Sequence, residues 1–267
     1  MKSLVRWSAT LGLVGTALIG SFGAGNLTAL ALPEEQVVQK LQSVPVFTVT
    51  DPKGSPLVAS VPNGENKTAA VAGVFISQKD AQAFVERLKQ EKPDLGKTVQ
   101  VVPVSLAEVY KLKRQNENKP DGLNFAFIPV QQQVQSAQAL VGQAGQQGQK
   151  FQGTPLFVAK GGQDKGYLTV QENGKTFIPF FFDREQLQGM VDRFKQQQPN
   201  MASTIEIQAV SLEGVLQTLQ TSNNDQLNNI VIVPSQESIA FLRSLPAASS
   251  APQPGAPQAA PQQRPQR

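Results

Sequence analysis

The chain has 267 residues, with 24 Lys and Arg against 20 Asp and Glu, and it contains neither cysteine nor histidine. These absences exclude a disulfide framework, a CxxC redox pair, Cys/His nucleophilic catalysis and any thiolate or imidazole metal site. The net charge of +4 is too small and too scattered to point to a nucleic-acid partner.

Residues 1–31 have the layout of a secretory signal peptide. Lys2 and Arg6 form a positive start, LGLVGTALIG follows as an apolar core, and Ala29-Leu30-Ala31 gives a small-x-small cleavage site. The apolar core falls well short of the ~20 residues that span hydrocarbon. No later apolar run reaches that length either, so the expectation is a soluble extracytoplasmic protein starting near Leu32. Loss of the leader removes two cations and Trp7 and leaves a charge of about +2.

The first half, residues 32–142, opens with three stretches that read as strands from their β-branched and alternating content: VPVFTVT, PLVASV and KTAAVAGVFIS. A helix follows in QKDAQAFVERLKQ, where Ala81, Phe84, Val85 and Leu88 share one face. Ser77 and Asp80 suit a capping box at its start, and Pro93 lies just past its end. Strand TVQVVPV leads into helix SLAEVYKLKRQ, where Ser105 and Glu108 form a second capping box. Strand LNFAFIPV and helix QQQVQSAQALV close the half.

A Gly- and Gln-rich joint, residues 143–153, leads to the second half, residues 154–246. Its elements come in the same order: strands TPLFVAK, YLTVQE and KTFIPFFF, helix DREQLQGMVDRFKQQQ, strand TIEIQAV, helix SLEGVLQTLQ, strand NIVIVP and helix SQESIAFLRSL. Asp183 and Gln186 take the cap positions of Ser77 and Asp80. Laid over residues 181–215, residues 75–109 agree at about a third of positions, polar ones included, such as Gln82/Gln188, Arg87/Arg193 and Lys89/Lys195. The spacing therefore predicts a duplicated unit. The fold class expected is mixed α/β, with two pseudo-twofold related halves, each β-β-β-α-β-α-β-α.

Phe180, Phe181 and Phe182 end a strand, so their side chains alternate between the faces of a sheet. A sheet covered on both faces buries all three. A sheet with one face open offers an apolar groove for a partner, and Phe75 and Ile76 are the matching pair in the first half. These five residues are the candidate client-binding set. Met190 stands where the first half has Phe84. The carboxylates sit mostly at helix starts and on exposed faces, where capping and solvation account for them. There is no GxSxG and no phosphate-cradling loop. The expectation is a non-enzyme with no cofactor and no metal.

The motifs VAGVFISQKDAQAFVERLK, VPVSLAEVY and QAVSLEGVL, behind an export signal, resemble the Tic-22-like family, the 22 kDa component of the chloroplast inner-envelope translocon and its cyanobacterial homologues. The resemblance covers roughly residues 33–245. It implies a soluble factor between two membranes that handles unfolded or partly folded proteins in transit. For a cyanobacterial member it implies a periplasmic location, with the thylakoid lumen as a second compartment. It also implies a chaperone-like role in outer-membrane biogenesis, with outer-membrane barrel proteins and the barrel-inserting pore as partners. The alternative is an extracytoplasmic ligand-binding or envelope scaffold protein with a Pro-rich tether.

The last stretch, residues 247–267, is rich in Pro, Ala and Gln, has almost nothing to bury and reads as disordered. Deletion from Ala247 onward is expected to shift the thermal midpoint by no more than about a degree or two, followed by circular dichroism. A larger drop means that the tail packs.

Overall fold

The alternating stretches form strands and the 3.6-period stretches form helices in the computed structural model. It describes residues 32–62, 68–117, 119, 122–143, 148–162, 165–222 and 224–245, together with the backbone of 10–14. Apart from those five residues, the expected signal peptide lies outside the described residues, as do the tail and part of the joint.

The first half contains β2 (Pro45–Thr50), β3 (Val58–Pro62), β4 (Thr68–Phe75), α2 (Gln78–Glu91), β5 (Gln100–Ser105), α4 (Leu106–Asn116), β6 (Asn124–Ile128) and α5 (Gln131–Gln143). The second repeats the order as β7 (Pro155–Gly161), β8 (Gly166–Glu172), β9 (Lys175–Phe181), α6 (Arg184–Gln197), β10 (Glu206–Ser211), α7 (Leu212–Thr221), β11 (Ile230–Val233) and α8 (Gln236–Ser244). Five elements lie outside that pattern. They are β1 (Thr10–Val14), α1 (Glu34–Leu41), α3 (Pro93–Gly96) and two 3₁₀ turns, Pro199–Thr204 and Asp225–Asn229. Pro93 and Pro199 do more than stop the preceding helix: each opens the next short one, at the position where a missing N–H costs nothing.

Two mixed sheets result, and their registers repeat residue for residue. Pro45 pairs with Ser105 as Pro155 pairs with Ser211. Phe47 faces Phe75 as Phe157 faces Phe181. The parallel pairs Phe75 with Ile128 and Phe181 with Val233 complete the match. Ser105 and Ser211 each cap the helix that follows. The Ser105 cap is a full capping box with Glu108. At the second site Gly214 replaces the glutamate, and Glu213 instead accepts two hydrogen bonds from Thr154, both at 2.9 Å.

The pleat sends alternate residues of each strand into different cores. Val46, Val74, Ile76, Leu156, Val158, Ile178, Phe180 and Phe182 enter one core shared by both sheets, filled out by Val37 and Leu41 of α1, Leu106 and Tyr110 of α4, and Leu212 and Leu216 of α7. Phe47, Val49 and Phe75 face a second core beneath α2. Phe157, Ala159 and Phe181 face a third beneath α6. Lys40 of α1 donates to the carbonyls of Asn228 and Ile230, at 2.7 and 3.1 Å, and so ties the two halves. Burial pushes its amine below the usual range.

The last helix of each half crosses over. Ala137 and Leu140 of α5 pack with Phe157, Phe181 and Leu187 of the second half. Phe241 of α8 packs edge-on against Phe47 of the first, with ring centroids 5.3 Å apart. The exchange rewires the helix starts. Ser77 still accepts from the Asp80 amide, but its hydroxyl donates to Glu237 of α8, which also accepts from the Lys79 amide at 2.9 Å. The expected return arm from Asp80 is thus replaced by a residue of the other half. Asp183 does not cap α6 as expected; it accepts from the Gln236 amide at 2.8 Å, at the start of α8. Gln133 of α5 bridges back, donating to Glu185 and accepting from the Arg184 amide.

Burial raises the Asp183 carboxyl above the usual range, with the charges of Glu185 and Glu237 adding to the rise against the Gln236 bond. Burial and Glu237 likewise raise Asp80. Such a raised group holds its proton more tightly in the folded chain, so its contribution to stability is full below the ordinary carboxylate range and is lost as pH climbs through the folded value.

Two expectations follow from the seam. Asp183→Asn keeps an acceptor for the Gln236 amide and removes the charge. Its thermal midpoint should therefore exceed the parent's at pH 7, with the gain shrinking toward about pH 4; a loss at pH 7 matching that of Asp183→Ala would contradict this. Separately produced fragments covering 32–143 and 148–245 should stay largely unfolded alone and regain structure when mixed, because each lacks the helix that closes its own sheet. Two fragments that melt cooperatively by themselves would show the exchange to be dispensable.

Candidate functional site

VASVP, the sequence of β3, has two valines three residues apart, so in a strand they point to opposite faces. All five residues of β3 are exposed, with Val58 at 47% and Val61 at 44%. The strand hangs on β4 through an antiparallel hairpin, from Val58 opposite Ala72 to Pro62 opposite Thr68.

On the outer face of this sheet, Val71, Gly73 and Phe75 of β4 point the same way, as do Ala126 and Ile128 of β6. They form the floor of a groove of about 580 Å³. One wall is Leu57 and β3. The other is Phe84 and Leu88 of α2, with Leu95 of α3 overhanging, 37% exposed. Phe84 leans on Phe75, with ring centroids 5.5 Å apart. Lys92 is the single charged residue of the lining.

Two glycines shape this groove. A Cβ on Gly96 would lie 2.5 Å from the Lys89 backbone, so only glycine lets α3 fold back onto α2 and hold Leu95 over the groove. At Gly73 the absent side chain leaves the floor low: a Cβ there would sit 3.0 Å from the Ile128 Cδ1.

Among the described residues the matching face of the second half is built differently. Its outer face is covered by α5 from the other half, and Met190, at the position of Phe84, is 8% exposed and packed in the core. The cleft left there, about 460 Å³, mixes Leu140 and Val191 with Arg184, Lys195 and Glu206.

The five residues expected to meet a client are placed unequally. Phe75 lines the groove floor but is itself only 4% exposed. Ile76, Phe180 and Phe182 are sealed in the shared core at 3% exposure, and Phe181 is sealed at 4% in the core under α5 and α6. The expectation that the Phe-rich strand of the second half flanks an open groove is corrected by helix exchange, which covers that strand on both faces. The exposed walls, Val58, Val61 and Leu95, were missed. Their signal was the apolar content of PLVASV, in which Ser60 is the one polar residue, and a leucine two residues past Pro93 in a stretch read only as a helix stop.

Comparison with known proteins adds the family. A model of the Tic22-like family matches residues 2–244. The protein TIC 22, chloroplastic, of Pisum sativum is 24% identical over 86% of this chain and 84% of its own length. A solved structure described as Anabaena Tic22 (protein transport) shares 35% identity, a TM-score of 0.72, and coverage of 81% of this chain and 99% of that one. Tic22 from Plasmodium falciparum shares the fold at 20% identity and a TM-score of 0.58, over 77% and 95% of the two chains. Mixed α/β in two sheets, duplicated in register and matched over nearly its whole length, the chain belongs to the Tic22-like family.

Proposed function

We propose that the chain is a periplasmic, chaperone-like factor of protein transport that holds unfolded or partly folded proteins, outer-membrane barrel proteins among them, by burying their apolar segments in the groove over Phe75. The carrying observation is the groove itself: about 580 Å³, with one charged residue in its lining and Val58, Val61 and Leu95 standing in solvent. An exposed apolar surface of this kind is a solubility cost that only a partner offsets.

Other observations support the reading. The Anabaena relative is described by the words protein transport. The N-terminal sequence has the layout of an export signal. Among the described residues no helix is long and apolar enough to cross a membrane. A holding factor in a compartment without ATP works by equilibrium binding alone. Burial at ~25 cal/mol per Å² is the contribution that unrelated clients share. The thylakoid lumen as a second site of action, and the barrel-inserting pore as a partner, follow from the same role. The mixed-charge cleft of the second half favours one other reading, an extracytoplasmic ligand binder or scaffold in which Arg184 and Lys195 hold a small polar ligand.

The groove reading is tested with Val61→Ser and Leu95→Ser, chosen because exposed side chains contribute little to folding and because Val61 shares the face of Val71 and Gly73. In variants whose melting curves match the parent, affinity for a urea-unfolded barrel protein should fall about fivefold each, from roughly 1 kcal/mol of lost apolar burial. It should also persist at high salt. Unaltered affinity in both would overturn the reading, and so would binding abolished by moderate salt. Loss confined to Lys195→Ala would favour the polar-ligand alternative.

A further inference from the structure

A sheet edge with free N–H and C=O groups is a template for another strand, and proteins normally guard such edges with charge, bulges or a covering element. β3 is such an edge. It is bonded to β4 on one side, and among the described residues no strand pairs with its other side. None of its residues is charged, and all five are exposed. Only Pro62, at its end, removes a donor.

The equivalent edge in the second half is occupied. β8 is the second strand of its half and pairs antiparallel with the third, as β3 does with β4. Its outer side carries β1, antiparallel over five consecutive pairs, from Thr10 opposite Gln171 to Val14 opposite Tyr167. That occupant, TLGLV, is extended, uncharged and mostly apolar. In this fold, then, the edge of the second strand accepts a short apolar strand from elsewhere.

We infer that the β3 edge is a strand-docking site that takes an extended, uncharged, apolar segment of a client in antiparallel pairing, with alternate side chains of that segment descending into the groove over Phe75. The assignment rests on the groove reading above and adds its mode of recognition. Backbone hydrogen bonds to β3 are blind to sequence, and the groove selects only for apolarity. That combination suits the strands of a barrel protein, which alternate apolar and polar residues along their length. The absence of charge on β3 and the single lysine of the groove lining match a segment without charge.

The test uses the full chain and a soluble peptide carrying the TLGLV core, together with two forms of it: one N-methylated at both leucines, the other at glycine. Only alternate amides of an added strand face the edge. One methylated peptide should therefore lose about tenfold or more in affinity while the other binds as the parent does. Hydrogen exchange should show new protection in residues 58–62. Three results overturn the edge assignment: both methylated peptides binding equally, protection appearing at 166–172 without 58–62, or no binding of the parent peptide. If Val61→Ser and Leu95→Ser still weaken binding of the unfolded barrel protein while the peptide shows no alternation, the groove stands and strand addition fails. If those variants leave client binding intact, the groove reading fails on its own measurement.

Discussion

Everything in this structure depends on one shortage: a sheet with two apolar faces needs two covers, and each half supplies only one complete cover of its own. The inner faces solve the problem by meeting each other across the shared core, into which Ile76, Phe180 and Phe182 project. The outer faces solve it by exchange, with α5 laid on the second sheet and α8 on the first. The helix-start network follows from that crossing. Glu237 reaches Ser77, Asp183 reaches Gln236 and Gln133 reaches Glu185, because the crossed helices begin beside the N-termini of α2 and α6. Carboxylates held near one another at this seam, with Asp183 half-buried, are the electrostatic cost of the arrangement, and bonds from amides and glutamines offset part of it.

The two halves differ where duplication would have made them equal. Both sheets have the same registers, yet the opening on the outer face is apolar in the first half and mixed in charge in the second. In the first half Gly96 folds α3 onto α2, and Leu95 overhangs the floor built on Gly73 and Phe75. In the second, a 3₁₀ turn replaces α3, and Met190 and Phe194 lie within the core under α6. The same strand registers thus carry two differently lined outer faces.

Local physics made the order of elements legible. The period of Ala81, Phe84, Val85 and Leu88 gave a helix, and Ser105 with Glu108 gave its neighbour's first turn; both are decided within a few residues. What lay hidden was long-range. No window around Phe181 contains Ala137 or Leu140, so nothing local distinguishes a covered strand from an open one. Asp183 looked like the cap of the helix it precedes because a cap is a local inference, whereas its partner Gln236 comes from the other end of the half. The short α1 carries two buried residues, Val37 and Leu41, too few for a periodic signal. The groove was foreseen in kind and partly misplaced: the phenylalanines drew attention by size, and the surface belongs to smaller residues beside them.

The crossing of α8 also sets a timetable. Phe47 lies near the start of the described chain and Phe241 near its end, and they touch. A chain made or threaded from its N-terminus cannot close the outer core of its first sheet until its final helix has arrived. Contacts of such sequence separation are made late, after most of the loop entropy has been surrendered. Until then Phe47 lacks the ring that packs edge-on against it, and the core beneath α2 stays incomplete. A protein proposed to hold others unfolded during transit is therefore built to complete its own fold only when its last element has come through.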